Sequence, residues 1–382
     1  MDLKTRALAL HKKLRGKIEI ASRAKIKSLK DLDLLYTPGV ADVSREIAAD
    51  KEKVYDFTNK WNSVAIITDG TRVLGLGNIG PEAALPVMEG KALIAKEFGN
   101  VDAFPICLKT QDKEKIIETV KAISPSFGLI NIEDIEAPKC FEIVERLEDE
   151  LDIPVFHDDQ HGTAIVVLAA LLNSLKIIEE NTKAVKIVIA GAGAAGYGIT
   201  KILSKYGFRN IIVSDSMGII YEGRPLGMNT YKNDIAKISN HNRESGILEE
   251  AIENCDVFIG ASGIKNLIDY KVLQKMSKNA IVFLLSNPDP EILPSQAQKA
   301  KNVKIIATGR SDFPNQINNA ITFPAIFRGA LDSRVKKLTY DMFIKAAEAL
   351  ANSVPKNKLS KNYIIPNINE KYFFDKVVGA IK

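Results

Sequence analysis

The chemically suggestive residues of this 382-residue chain begin with a glycine turn, Gly191-Ala192-Gly193-Ala194-Ala195-Gly196. VKIVIA precedes it and YGITKILSKYG follows, so the stretch reads as strand, turn, helix. Gly191 permits the tight turn, Gly193 lets a pyrophosphate approach the backbone, and Gly196 lets helix and strand pack closely. Free N–H groups at the helix start then face the phosphates. The next strand, NIIVSD, ends in Asp215, placed to accept a hydrogen bond from a ribose 2′-hydroxyl. A 2′-phosphate would be repelled there. Ser216, Met217 and Gly218 bring no offsetting cation, so NAD is the expected cofactor and NADP the alternative. A glycine turn without a ligand would show the same six residues, but the strands and helix around it argue for the dinucleotide.

Two acidic pairs form a second group. Glu133-Asp134 follows GLINI, and Asp158-Asp159 follows IPVFH. Carboxylates gathered beyond the carboxyl ends of neighbouring strands repel one another unless a cation sits between them. Oxygen donors suit Mg²⁺ or Mn²⁺. Asp134 and Asp159 also precede helical stretches and could cap them. Spacing alone leaves metal binding and capping level. His157 and His161 read as hydrogen-bonding neighbours of the second pair.

The elements that must position these groups alternate along the chain. Apolar runs at 63–68, 101–108, 127–132 and 153–156 read as strands, with helix-periodic stretches at 81–98, 112–123 and 138–150. Residues 3–30 read as one or two basic amphipathic helices. Residues 162–180 read as a buried linking helix. Strands then follow at 185–190, 210–214, 257–260, 280–285 and 303–307, and helices at 342–353 and 371–381. The expected fold is α/β with two domains. Residues 1–161 form a parallel-sheet catalytic and metal domain. Residues 162–325 form a Rossmann-type, doubly wound NAD domain, and residues 326–382 a helical segment packed across the boundary.

Bulk properties narrow the partners. The net charge is +5, but the lysines alternate with acids and no basic run carries interleaved aromatics, so nucleic acid is not expected. No apolar run reads as the roughly 20 residues that span a bilayer. Residues 1–17 lack the apolar core of a secretion signal. Cys107, Cys140 and Cys255 show no metal-binding spacing, and Cys107 and Cys255 read as core residues. A cytoplasmic protein without membrane partners is expected.

Taken together, the motifs resemble the malic enzymes of the short prokaryotic type. The resemblance rests on YTPGV (36–40), TDGTRVLGLGNIG (68–80), PVMEGKA (86–92), NIEDI (131–135), HDDQHGTA (157–164), GAGAAG (191–196), SNP (286–288) and QINNAITFPAIFRGA (316–330). It covers about residues 30–330, in family order. It implies oxidative decarboxylation of malate to pyruvate and CO₂, with NAD(P)⁺ reduced and Mg²⁺ or Mn²⁺ required. By position Tyr36 matches the family's general acid and Lys91 its general base. Arg72 matches the carboxylate-binding arginine, and Glu133, Asp134 and Asp159 the metal ligands. Asn287 and Asn319 match amides near nicotinamide and substrate, with Asn318 adjacent. Asp158 would orient Lys91, and the basic N-terminal helices would join a homodimer.

The chemistry asks for such groups. A lysine base needs its pKa lowered from about 10.4, and an arginine can grip a carboxylate with two parallel N–H bonds. Without the resemblance, Tyr36 would read as a packed turn residue, Lys91 as an exposed helix lysine and Arg72 as a partner of Asp69 or Glu82. The asparagines would read as turn formers or caps. Competing functions are malolactic conversion of malate to lactate with bound NAD, a metal-free amino-acid-type dehydrogenase, and a non-catalytic NAD-binding regulator.

Overall fold

A computed structural model describes residues 2–181, 184–310 and 312–382. Two sheets organise it. The first contains β1 (Ser63–Thr68), β2 (Asp102–Cys107), β3 (Leu129–Ile132) and β4 (Val155–His157), all parallel, in the order β2-β1-β3-β4. β1 and β3 are buried along their whole length, which is why they read as continuous apolar runs rather than as alternation. The register pairs Ile67 with Ile132 and Ile132 with His157. Three neighbouring strands therefore end level, and Asp69–Arg72, Glu133-Asp134 and Asp158-Asp159 emerge side by side.

The second sheet contains β5 (Lys186–Ala190), β6 (Asn210–Asp215), β7 (Gly218–Ile219), β8 (Val257–Gly260), β9 (Ala280–Leu284) and β10 (Val303–Thr308). Its order is β10-β9-β8-β5-β6-β7, parallel except for the short β7. Chain order reverses at β5, which has β6 on one side and β8 on the other. That switch point opens a crevice beyond the end of β5, where the glycine turn begins.

Helix Thr163–Ile178 joins the sheets, and Ala164–Leu171 is buried without interruption. Its apolar composition corrects the expectation that nothing here is long enough to span a bilayer. Asp158–Ile178 is a continuous helical stretch of 21 residues containing an 18-residue window of mean hydropathy 1.7. Its apolar window is, however, 72% buried inside the protein. Helix Tyr340–Ser353 packs along it, and Asn173 Nδ2 donates to the carbonyls of Ala351 and Ile364, both at 2.9 Å. Helix Phe323–Ser333 packs against helix Pro81–Gly99, and Phe374–Val378 against both Phe323–Ser333 and Tyr340–Ser353.

The N-terminal stretch differs from its sequence reading. It forms helices Leu3–Leu14 and Leu29–Leu35 separated by irregular backbone, and no described residue before position 50 is buried. The cysteine reading holds for Cys255, whereas Cys107 is only half-buried and Cys140 is in the core.

Candidate active site

One cavity of about 1250 Å³ runs between the sheets, from Arg72 and Lys91 at one end to Asp215 and Leu248 at the other. The glycine turn forms its middle. Gly191 sits at φ +115°, and a Cβ there would lie 2.4 Å from the Ala261 carbonyl oxygen. A Cβ on Gly196 would lie 1.9 Å from the Gly191 oxygen, so helix Ala194–Tyr206 can approach β5 only without one. Gly193 faces open space, which leaves room for a phosphate. Ala192, Ala194 and Ala195 line the same wall.

Asp215 ends β6 as expected, but its surroundings correct the expectation of no nearby cation. Arg224 binds both carboxylate oxygens, at 2.9 and 2.6 Å, and Lys232 Nζ lies 2.6 Å from Oδ2. Burial alone would raise the Asp215 pKa, but hydrogen bonds from Arg224 and Lys232 hold it at about 2. The turn at Gly218–Gly223 and helix Thr230–Ile238 bring the two cations back from 9 and 17 residues downstream, too far for a reading of adjacent residues.

At the other end the acids converge. Glu133, Asp134 and Asp159 each offer one oxygen, all within 4.8 Å of one another. Neither candidate cap serves as one. The helix after Asp134 has Pro138 as its N-cap, and Asp158–Gly162 is itself a π-helical turn running into Thr163–Ile178. Asp134 sits at φ +51°, its N–H donating to Asp159 Oδ2 at 3.0 Å. Asp134 Oδ2 is buried with no partner among the described residues. Burial and the neighbouring Asp159 charge push the Asp134 carboxyl up to about 8. Glu133 is raised by burial despite Lys91. Burial alone would raise the Asp159 carboxyl, but His157, Lys91 and the Asp134 N–H together hold it below its ordinary value. A cluster of hard oxygens with an unpartnered buried oxygen is a donor set that fits Mg²⁺ or Mn²⁺.

Lys91 projects into this cluster from helix Pro81–Gly99. It is buried, 2.7 Å from Glu133 Oε1, in close contact with Asp158 Oδ2 and over the face of Phe323. The orienting role expected of Asp158 has this geometric basis. The lowered lysine pKa does not: burial alone would lower it, but the charges of Asp158 and Glu133 together carry it above the ordinary value.

Arg72 also lines the cavity. Among the described residues it has no carboxylate within ion-pair distance, because Asp69 is taken by Lys139 at 2.6 Å. The Arg72 N–H donates to the Asp134 carbonyl at 3.0 Å, and its guanidinium reaches Gly263 in the other sheet's loops. Asn287, Asn318 and Asn319 all line the cavity. Asn319 Nδ2 donates to Asp158 Oδ2 at 2.7 Å, and Asn318 caps the following turn through Ala320 N at 2.9 Å.

Tyr36 is not brought to this site. It is 62% exposed and outside the cavity, on the N-terminal arm. Sequence reasoning also passed over four supporting residues. Asn131 donates to Glu133 at 2.9 Å. Lys139 and Thr71 both bind Asp69, fixing the Arg72 loop. Gln160 links His157 to Tyr340. Thr71, Asn131 and Gln160 lie inside the motifs quoted above, but what each side chain holds is recognisable only once the strands are aligned.

Comparison with known proteins agrees with this arrangement. Residues 160–374 match the family model described as malic enzyme, NAD binding domain, and residues 15–117 and 109–148 match malic enzyme, N-terminal domain. The chain is 52% identical to the bifunctional malic/malolactic enzyme of Bacillus subtilis, covering all of this chain and 92% of that protein. It is 50% identical to the NAD-dependent malic enzyme of Geobacillus stearothermophilus, over 100% and 78% of the two chains. The crystal structure of the NAD-dependent malic enzyme from Thermotoga maritima superposes with a TM-score of 0.94 at 49% identity, covering 98% of each chain. An acid-and-lysine cluster facing a dinucleotide turn, both family models and full-length relatives at half identity lead to one conclusion: this chain belongs to the malic enzyme family.

Proposed function

We propose that the protein oxidatively decarboxylates malate to pyruvate and CO₂ while reducing NAD or NADP. One observation carries the reading. Lys91 and the Glu133–Asp134–Asp159 cluster stand at one end of the same cavity whose middle is the dinucleotide turn. A substrate at that end would face acid–base groups and the reactive end of the cofactor together.

Arg72, free of carboxylate partners among the described residues, is placed to grip a substrate carboxylate by two parallel N–H bonds. With a divalent ion on Glu133, Asp134 and Asp159 offsetting the charges that raise its pKa, Lys91 would take the proton from the C2 hydroxyl, and the bound dinucleotide would accept the hydride. Asp158 and Asn319 hold the lysine's surroundings in place, and burial behind Phe323 keeps bulk water off it. Glu133, Asp134 and Asp159 would hold the divalent ion. Bound there, it supplies Lewis-acid stabilisation of developing oxygen charge. Asn287 lies on the cofactor side.

The remaining group, a proton donor for the enolate carbon, matches Tyr36, and its exposure points to a second copy of the chain. Residues 2–36 include no buried side chain and expose Leu3, Leu8, Leu10, Leu14, Ile20, Leu29 and Leu34. The arm lies along the Lys91 helix through Lys17, which contacts Pro86 O at 2.5 Å and Glu89 at 3.2 Å. We infer a homodimer in which this arm is covered and Tyr36 enters the partner's cavity. The three free cysteines favour a reducing, cytoplasmic setting. We also place the domain boundary near Gly162, where the first sheet ends and the linking helix begins.

The direct test is an absorbance assay for NADH or NADPH with malate, with and without Mn²⁺. Turnover that needs malate and is lost on chelation is expected; no reduced cofactor under any condition would overturn the reading. The B. subtilis relative's name favours a malolactic side reaction as a second reading, which lactate appearing without net NADH would reveal. For the dimer, mixing Tyr36→Phe subunits with Lys91→Ala subunits should restore activity that neither variant has alone. If each site uses its own tyrosine, no activity returns.

A further inference from the structure

Asp215 on β6 marks the adenosine end of the cavity and the turn after β5 marks the pyrophosphate. The nicotinamide half therefore extends over β8 and β9. The loops that follow those strands, Ala261–Gly263 and Leu285–Asn287, line the cavity there. Both are tied to one side chain that does not itself line the cavity, Glu291.

We propose that Glu291 is a positioning residue, clamping these two loops into a single floor for the nicotinamide half of the cofactor. Its Oε1 accepts from Ser262 N at 3.0 Å, from Ser262 Oγ at 3.1 Å and, in a close contact, from Ser286 Oγ. Ser286 Oγ in turn accepts from Gly263 N at 2.8 Å. One carboxylate oxygen thus joins the loop after β8 to the loop after β9, one residue before Asn287. The Glu291 carbonyl also accepts from Ile268 N at 3.3 Å, which anchors the segment carrying it.

A structural need alone does not account for an acid here. Glu291 is fully buried, and among the described residues no cation lies within ion-pair distance. Its Oε2 has no partner among them. Burying an unpaired carboxylate is costly, and an apolar side chain would fill the space without that cost. What the apolar side chain cannot do is accept three hydrogen bonds at one point from two different loops. The sheet makes room for it: a Cβ on Gly260, the last residue of β8, would lie 2.5 Å from Glu291 Cδ.

The proposal rests on the cofactor occupying this cavity, so the test separates the two. NADH is titrated by fluorescence into the parent protein, Glu291→Leu, Glu291→Gln and the pair Ser262→Ala/Ser286→Ala, and Mn²⁺ binding to each is measured by electron paramagnetic resonance. The Leu variant should bind NADH at least tenfold more weakly, with its Mn²⁺ Kd within twofold of the parent's. The Gln variant, which keeps an accepting oxygen, should return to within threefold. If the Leu variant does not fold, the double serine variant takes its place, with the same expected loss. NADH affinity within twofold of the parent in whichever of these two folds overturns the clamp. So does a Gln variant as weak as the Leu variant, or an equal loss of Mn²⁺ affinity. A parent that binds no NADH overturns the cofactor reading itself.

Discussion

Asp215 illustrates how a single side chain can carry two opposed messages. An acid at the end of β6 disfavours a 2′-phosphate, yet this one is gripped by Arg224 and Lys232. Removing the carboxylate would free both cations for the phosphate. Asp215→Ser should therefore raise the ratio of kcat/KM for NADP to that for NAD at least tenfold. An unchanged ratio would remove this trio from cofactor choice. At the far end, Lys91→Ala should lower kcat by about 10²–10⁴, the usual range for a general base, while NADH binding stays intact. The acid cluster was legible as acids at strand ends. Its resolution into a cluster rather than two caps was not, because that depends on the π-helical turn and on the positive φ of Asp134. Arg224, Lys232 and Glu291 had no local signal: no motif or period ties them to their partners, which come from other turns and loops.

Among the elements, the turn Asp158–Gly162 links the two halves of the site. It carries Asp158 and Asp159 into the acid cluster, and its outer side lies against the helix that follows the glycine turn. The fit is close: a Cβ on Gly198 would lie 2.2 Å from the Gln160 carbonyl oxygen. Gly198→Ala should push the turn outward, destabilise the protein by about 1–3 kcal/mol as overpacking does, and weaken Mn²⁺ binding. Urea denaturation together with Mn²⁺ titration checks this, and a variant with both unaltered would refute the linkage. Strands and long helices were legible because burial on both faces leaves an apolar run and burial of one stripe leaves a period. The π-helical turn and the two-residue β7 leave none, since each is set by what packs around it.

At the scale of the molecule, three parts of the chain meet around Glu148. It lies on helix Lys139–Glu150 and faces a cavity of about 110 Å³ with Glu145, Lys201 and Tyr340. Burial pushes its carboxyl up to about 7, with Lys337 and Lys201 opposing and Asp149 and Glu145 adding to the rise. A carboxyl raised in the folded state contributes stability at pH values below its unfolded pKa, and that contribution is lost as pH climbs towards 7. Glu148→Gln should accordingly be more stable than the parent at pH 8, by on the order of 2 kcal/mol, and the advantage should vanish near pH 4.5. Equal urea midpoints at pH 8 would count against it. The two-sheet plan was visible in the alternation of strands and helices. The placement of Tyr36 outside the cavity was not, because it depends on a surface that one chain leaves open.

The linking helix also sets a schedule for synthesis. Its apolar length is buried partly by Tyr340–Ser353, and Asn173 finds its acceptors only at Ala351 and Ile364. Those partners leave the ribosome more than 160 residues after Ile178. At roughly 5–20 residues per second, that is about 9–37 s. For that interval a stretch of membrane-like hydropathy lacks its C-terminal cover. Nascent chains halted before residue 340 should be the ones that bind chaperones, and residues 340–382, which do not line the active-site cavity, are the part that ends that dependence.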